Sequence, residues 1–100
     1  MSGFQNGPPG YAQNPLGYQQ IVGLASSTAL TVPAGANFAL VSVSGAAVRY
    51  RDDGVAATAT VGFPLPITTG APMTFYGQSL AILSFIQQSG TATLDILYYR

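Results

Sequence analysis

Residues 80–100, LAILSFIQQSGTATLDILYYR, decide the fold class. In Thr91–Tyr99 the residues alternate, with Ala92, Leu94, Ile96 and Tyr98 on one side and Thr91, Thr93, Asp95, Leu97 and Tyr99 on the other. A period of two is the signature of a strand buried on one face. Leu80–Gln87 is apolar on both faces, which predicts a central strand. Its Phe-Ile content and the glycines on either side favour a strand over the short helix that Leu80–Ile86 alone would allow. Between the two segments, QQSGT reads as a turn, so the pair is expected to form a hairpin.

Working outward, the same texture of β-branched and aromatic residues between Gly and Pro breaks recurs along the chain. Further strands are predicted at Gln19–Leu24, Ala29–Val32, Phe38–Val43, Ala47–Arg51, Thr58–Val61 and Met73–Tyr76. Pro33-Ala34-Gly35 and Gly70-Ala71-Pro72 supply turns, and Pro64 with Pro66 confines that segment to an edge or a loop. Eight short strands predict an all-β domain, a small antiparallel β-sandwich or a jelly-roll-like fold.

Composition narrows the chemistry. Among the 100 residues there are three Arg, three Asp and no His, and Lys, Glu, Cys and Trp are absent as well. A general base poised near neutral pH has to come from Asp52, Asp53 or Asp95, and a zinc or iron site lacks its usual nitrogen and sulfur ligands. The expectation is a chain that is no enzyme, with no catalytic residues, no metal and no cofactor. With a formal net charge of zero and no basic stripe, nothing is available to neutralise phosphates, so no nucleic-acid partner is expected. No apolar run approaches the ~18 residues that span a bilayer, and the first residues have neither the basic nor the apolar region of a signal peptide, so no membrane partner is expected. Only 6% of residues are charged, against about 25% in an average soluble domain. A surface so poor in charge is weakly protected against self-association, which points to an exterior covered by other copies or other proteins.

Residues 1–18 differ from the rest. GFQNGPP, GYAQNPL and GYQQ begin at Gly3, Gly10 and Gly17, and each places an aromatic directly after the glycine: Phe4, Tyr11 and Tyr18. Pro8, Pro9 and Pro15 rule out a continuous helix, and in extended geometry successive aromatics lie about 20 Å apart. Residues 1–18 are therefore expected to form an interaction arm anchored by Phe4, Tyr11 and Tyr18, ahead of a domain at residues 19–100.

Charge concentrates in VRYRDDG, residues 48–54, which holds Arg49, Arg51, Asp52 and Asp53. Strand alternation sets Arg49 and Arg51 on one face and Val48 and Tyr50 on the other. Asp52-Asp53-Gly54 then reads as a turn in which Asp caps backbone N–H groups and Gly takes a positive φ. Arg49 and Arg51 are candidate contacts to a neighbouring subunit, because the guanidinium fork suits carboxylates and carbonyls. A carboxylate pair for catalysis is disfavoured because adjacent strand residues point to opposite faces. A calcium site at Asp52 and Asp53 needs oxygens from elsewhere.

VRYRDDGVAATATVGFPLPITTG, followed by LAILSFIQQSGTATLDILYYR, resembles a family of small all-β structural proteins of tailed bacteriophage virions, over roughly residues 20–100. The resemblance implies a virion structural subunit, a capsid decoration or cement protein, with head-completion, collar or tail positions as alternatives. Together with the low charge and the arm, the expectation is a subunit that oligomerises and attaches to a shell, with the major capsid protein as partner, partly through residues 1–18. The resemblance carries over no functional residues. The rival from another class is a carbohydrate-binding β-sandwich using Tyr50, Tyr76 or Tyr99 as stacking platforms.

Overall fold

A computed structural model describes residues 14–100 and contains eight strands among them: β1 Pro15–Val22, β2 Thr28–Ala29, β3 Phe38–Ser44, β4 Val48–Arg51, β5 Phe63–Leu65, β6 Met73–Tyr76, β7 Ser84–Gln87 and β8 Thr93–Tyr99. A 3₁₀ helix, Gly77–Ala81, stands between β6 and β7. The strands form two antiparallel sheets, ordered β1-β8-β3-β6 and β2-β7-β4-β5. Each strand in the first half of the chain pairs with its counterpart counted back from the end: β1 with β8, β2 with β7, β3 with β6 and β4 with β5. The chain is thus one long two-stranded ribbon, folded at residues 52–62 and rolled until β8 also meets β3 and β7 meets β4. That wrap is a jelly roll, and it places a four-stranded sheet on each side of one core.

The roll overturns the hairpin expected at residues 80–100. β7 lies in the second sheet and β8 in the first, so the segment between them crosses from one sheet to the other. The Gln87 side chain stitches the crossing, its Oε1 accepting from the backbone N–H groups of Leu24 and Ala92, each at 3.0 Å. The inward faces expected for β8 are correct: Leu94, Ile96 and Tyr98 are buried, as is Ala92 just before it. They stack across the core from Phe85 of β7 and do not lie beside it. An alternating strand has the same pattern whether its sequence neighbour sits next to it or opposite it.

Three further boundaries shift. The strand expected at Gln19 begins at Pro15, so Pro15–Tyr18 belongs to the sheet and not to the arm expected over residues 1–18, the rest of which lies outside the described residues. Proline is tolerated there because β1 is an edge strand and Pro15 its first residue, and the ladder slips between Pro15 and Gly17. Thr58–Val61 is a tight turn and not a strand. Thr58 and Val61 exchange backbone hydrogen bonds, and Thr58 Oγ1 accepts from Val61 N–H at 2.8 Å. The edge strand is instead Phe63–Leu65, which carries Pro64. Finally, Leu80 belongs to the 3₁₀ helix, and only Ser84–Gln87 of that apolar run extends as an inner strand.

The core is built by inward residues of both sheets. Ala39, Val41 and Val43 of β3, Phe75 of β6 and the β8 set face Val48 of β4 and Phe85 of β7, with Leu24, Leu80 and Leu83 from the connections. Three aromatic rings tie the sheets together. Phe75 meets Tyr50 edge-on at 4.9 Å and Phe85 edge-on at 5.7 Å, geometry that adds about 1 kcal/mol per pair beyond burial.

Among the described residues Tyr98 is the one tyrosine that sits fully inside, and its hydroxyl donates to Gln19 Oε1 at 2.6 Å. Burial pushes its phenol up to about 12. The folded chain therefore holds this proton more tightly than the unfolded chain, whose tyrosines ionise near pH ~10. Stability from this group is complete below that value and is lost as pH rises through about 12, by on the order of 2 kcal/mol. Tyr98→Phe is expected to lose about 1 kcal/mol at neutral pH and to flatten the alkaline fall in melting temperature. Tyr50, raised by burial and then by Asp52, leaves a residual slope of the same sign. Melting curves of both proteins between neutral and strongly alkaline pH check this, and parallel alkaline limbs refute it.

Candidate functional site

The charged segment builds a turn at the fold of the ribbon. Asp53 takes a two-point fork from Arg51, Nε to Oδ1 at 3.1 Å and Nη2 to Oδ2 at 2.5 Å, and its Oδ1 also accepts from Val55 N–H at 3.2 Å. The fork holds the Asp53 carboxyl below the ordinary carboxylate range. Gly54 follows with φ +82, the left-handed conformation expected of it. Arg49 reaches in the other direction, donating from Nη1 to Gly62 O at 2.8 Å and from Nε to Ala59 O at 3.2 Å. It pins the Thr58–Val61 turn against β4, which explains why that β-branched segment does not extend.

Both arginines lie on the outward face of β4, opposite Val48 and Tyr50, and both are occupied within the chain. Tyr50, Arg51, Asp52, Asp53, Gly62 and Phe63 border an open cleft of about 270 Å³. No group of three or more acidic, His or Cys side chains gathers there or elsewhere among the described residues. Since the Arg51–Asp53 pair is solvent-exposed, its loss is expected to change stability little. Arg49→Ala is expected to cost more, about 1–2 kcal/mol, because two backbone carbonyls of the turn lose their donor. Thermal melts of the two single variants test this order.

The other sequence-predicted residues separate. Phe4 and Tyr11 lie outside the described residues. Tyr18 is in β1, not on an arm, and stands on the outer face of the first sheet, 60% exposed. Its hydroxyl donates to Asp95 Oδ1 at 2.6 Å, and Gln20 Nε2 donates to the same oxygen at 2.9 Å. The hydrogen bond to Asp95, ahead of burial and the Asp95 charge, raises the Tyr18 phenol. Tyr50 is half-buried in the aromatic core, whereas Tyr76 and Tyr99 come together on the outer face of the first sheet.

That outer face is the largest feature the sequence did not single out. Register places Tyr99 between Pro15 and Phe38, and Phe38 opposite Tyr76, forming a row across the sheet. The Phe38 and Tyr99 rings are stacked, 5.0 Å apart with planes 11° from parallel, and the Tyr76 ring follows at 6.1 Å. The next row is Tyr18, Leu97, Leu40 and Thr74. Beyond it come Gln20, Asp95 and Ser42, then Val22, Thr93 and Ser44, so one end of the face is apolar and the other, apart from the exposed Val22, polar. Tyr76 is 69% exposed and Leu97 43%. The signal in the sequence was the outward half of the alternation: Phe38 and Leu40, like Leu97 and Tyr99, are large apolar residues at positions where a solvated sheet carries polar ones.

Set against known proteins, the chain matches no protein-family model, no curated protein and no solved structure.

Proposed function

We propose that this chain is a non-enzymatic structural subunit that works by assembly, as a decoration protein on the capsid of a tailed bacteriophage, with further copies and the major capsid protein as its partners. The observation that carries the reading is the outer face of the β1-β8-β3-β6 sheet. Its apolar end presents Tyr18, Phe38, Leu40, Tyr76, Leu97 and Tyr99 on a molecule with only six charged residues. Contiguous exposed apolar surface of this kind marks protein contacts, and aromatic residues are enriched where such contacts hold. The jelly-roll wrap is one that capsid domains use, and the sequence resemblance points to virions. Many weak, repeated contacts on a symmetric shell add up through multivalency, so a domain of this size needs no large single interface.

Co-sedimentation with shells built from the phage's major capsid protein tests the proposal. The purified chain is expected to pellet with shells at saturating stoichiometry, and Tyr76→Ser or Leu97→Ser is expected to weaken that binding while the fold persists. A chain that stays in the supernatant with every shell tested removes the decoration reading.

One observation favours a second reading. The Phe38, Tyr76 and Tyr99 row is also the type of surface on which sugar rings stack, and lectin domains share the jelly-roll wrap. Calorimetric titration with an oligosaccharide panel separates the two: binding abolished by Tyr76→Ser, without shell binding, establishes the carbohydrate module.

A further inference from the structure

We infer that the cleft at the tip of the ribbon seats a guanidinium, that of Arg100 from a second copy of this chain. The inference rests on the assembly reading above and adds to it a contact away from the apolar row.

All six charged side chains lie among the described residues, and four of them are engaged within the chain. Arg51 forks onto Asp53, Arg49 donates to the carbonyls of Ala59 and Gly62, and Asp95 accepts from Tyr18 and Gln20. Asp52 and Arg100 are left, one of each sign, and among the described residues neither side chain has a hydrogen bond or an ion pair. Within one copy the two do not meet. Backbone hydrogen bonds to Asn14 hold Arg100 at the end of β8, and its Nη1 lies 3.4 Å from where a Cβ on Gly35 would stand, on the connection from β2 to β3. The cleft opens instead between β4 and β5, at the edge of the second sheet opposite β2. A second copy can present the guanidinium there without disturbing either backbone.

The cleft has the chemistry for a flat cation. Tyr50 and Phe63 give it an aromatic wall, their ring centroids 5.5 Å apart, and Phe63 is 64% exposed. Asp52 supplies its one uncompensated charge, since the Arg51 fork neutralises Asp53. Burial first, and then the Asp52 charge, raise the Tyr50 phenol, so that carboxylate acts on the same wall. A guanidinium can stack on an aromatic face and fork onto a carboxylate at once, which a compact ammonium cannot. Both rims are already fixed, one by the Arg51–Asp53 fork and the other by Arg49 on Gly62 O, so filling the cleft costs little ordering. Its volume of about 270 Å³ falls below the ~300–1,000 Å³ of small-molecule pockets and suits one inserted side chain. Arg100 into the cleft is a head-to-tail contact, because the two surfaces differ, and it builds rings or open chains of copies.

Charge reversal in the full chain, followed by sedimentation velocity, tests the contact. Asp52→Arg and Arg100→Asp are each expected to weaken self-association roughly fivefold or more. Melting temperature is expected to change little, because neither side chain has a partner within its own copy. The chain carrying both substitutions is expected to regain association, since its copies again offer opposite charges to one another. In an NMR titration, N-acetyl-arginine methylamide is expected to shift the signals of Tyr50, Asp52 and Phe63, and the neutral citrulline analogue to leave them in place. A double variant that associates no better than the single ones overturns the inference. So does self-association unchanged by every variant, or a citrulline probe that binds as well as arginine; in each case the assembly reading stands on the outer face of the first sheet. A wild-type chain that remains monomeric at roughly 1 mM but pellets with shells overturns the inference alone, and one that does neither overturns both.

Discussion

Phe85→Ala is expected to remove about 3–5 kcal/mol of stability, because it empties one of the largest fully buried side-chain sites among the described residues. Phe85 is fully buried at the centre of the second sheet, paired through β7 to both β2 and β4. Its ring packs edge-on against Phe75 of the opposite sheet and 5.8 Å from Tyr50, so its removal opens a void shared by both layers. The walls of that void are strands locked by ladders on either side, which limits collapse into it. A domain of this length has about 5–15 kcal/mol in total, so the variant forfeits roughly a fifth of it or more. In urea the transition midpoint is expected to fall by about 1.5 M or more. Phe85→Leu, which keeps most of the volume, is expected to lose less than half as much. A midpoint shift for Phe85→Ala no larger than that for Phe85→Leu refutes this account of the core.

Gly45→Ala is the second large effect, and here the loss comes from the backbone. Gly45 joins β3 to β4 with φ +84, and a Cβ placed on it meets the carbonyl oxygen of Thr91 at 2.5 Å. Thr91 belongs to the segment that carries the chain from β7 to β8, so the clash presses two inter-sheet connections apart. The left-handed conformation alone costs an L-residue about 1–2 kcal/mol, and the contact with a backbone atom raises the total to about 3 kcal/mol or more. Gly54 provides the control. Its φ is +82, but nothing lies within 4 Å of a Cβ there, so Gly54→Ala is expected to show the conformational penalty by itself. At about 4–8 °C per kcal/mol, the two variants differ by about 10 °C in melting temperature. Equal melting temperatures refute the close approach at Thr91.

Neither effect was legible in the sequence, although the elements that produce them were. Phe85 falls in a run apolar on both faces, which marks burial without ranking one residue above another. Gly45 looks like any other glycine between two strands until Thr91 is brought against it. The charged turn was legible because its parts are local: Asp53, Gly54 and Val55 lie within three positions, and one side chain closes the turn. The partners of Arg49 within the chain were not legible, for the opposite reason. The carbonyls it engages, Ala59 and Gly62, are ten and thirteen residues away and approach it only when the ribbon turns at its tip.

What the sequence by itself determined is the inward and outward face of each strand, because alternation is a property of the extended backbone and needs no partner. Thr93–Tyr99 buries the residues its pattern assigns to the core, and Val48–Arg51 divides its apolar and charged residues as the period of two requires. Only the tertiary structure decided which strand lies beside which. Of the seven successive pairs, β4 and β5 alone are hydrogen-bonded neighbours, and the remainder cross between sheets. Backbone hydrogen bonds are nearly indifferent to side-chain identity, so lateral pairing is settled by how the apolar faces close over a common core. That same closure assembles Tyr99, Phe38 and Tyr76, dozens of residues apart in the chain, into one row on the outside of the roll.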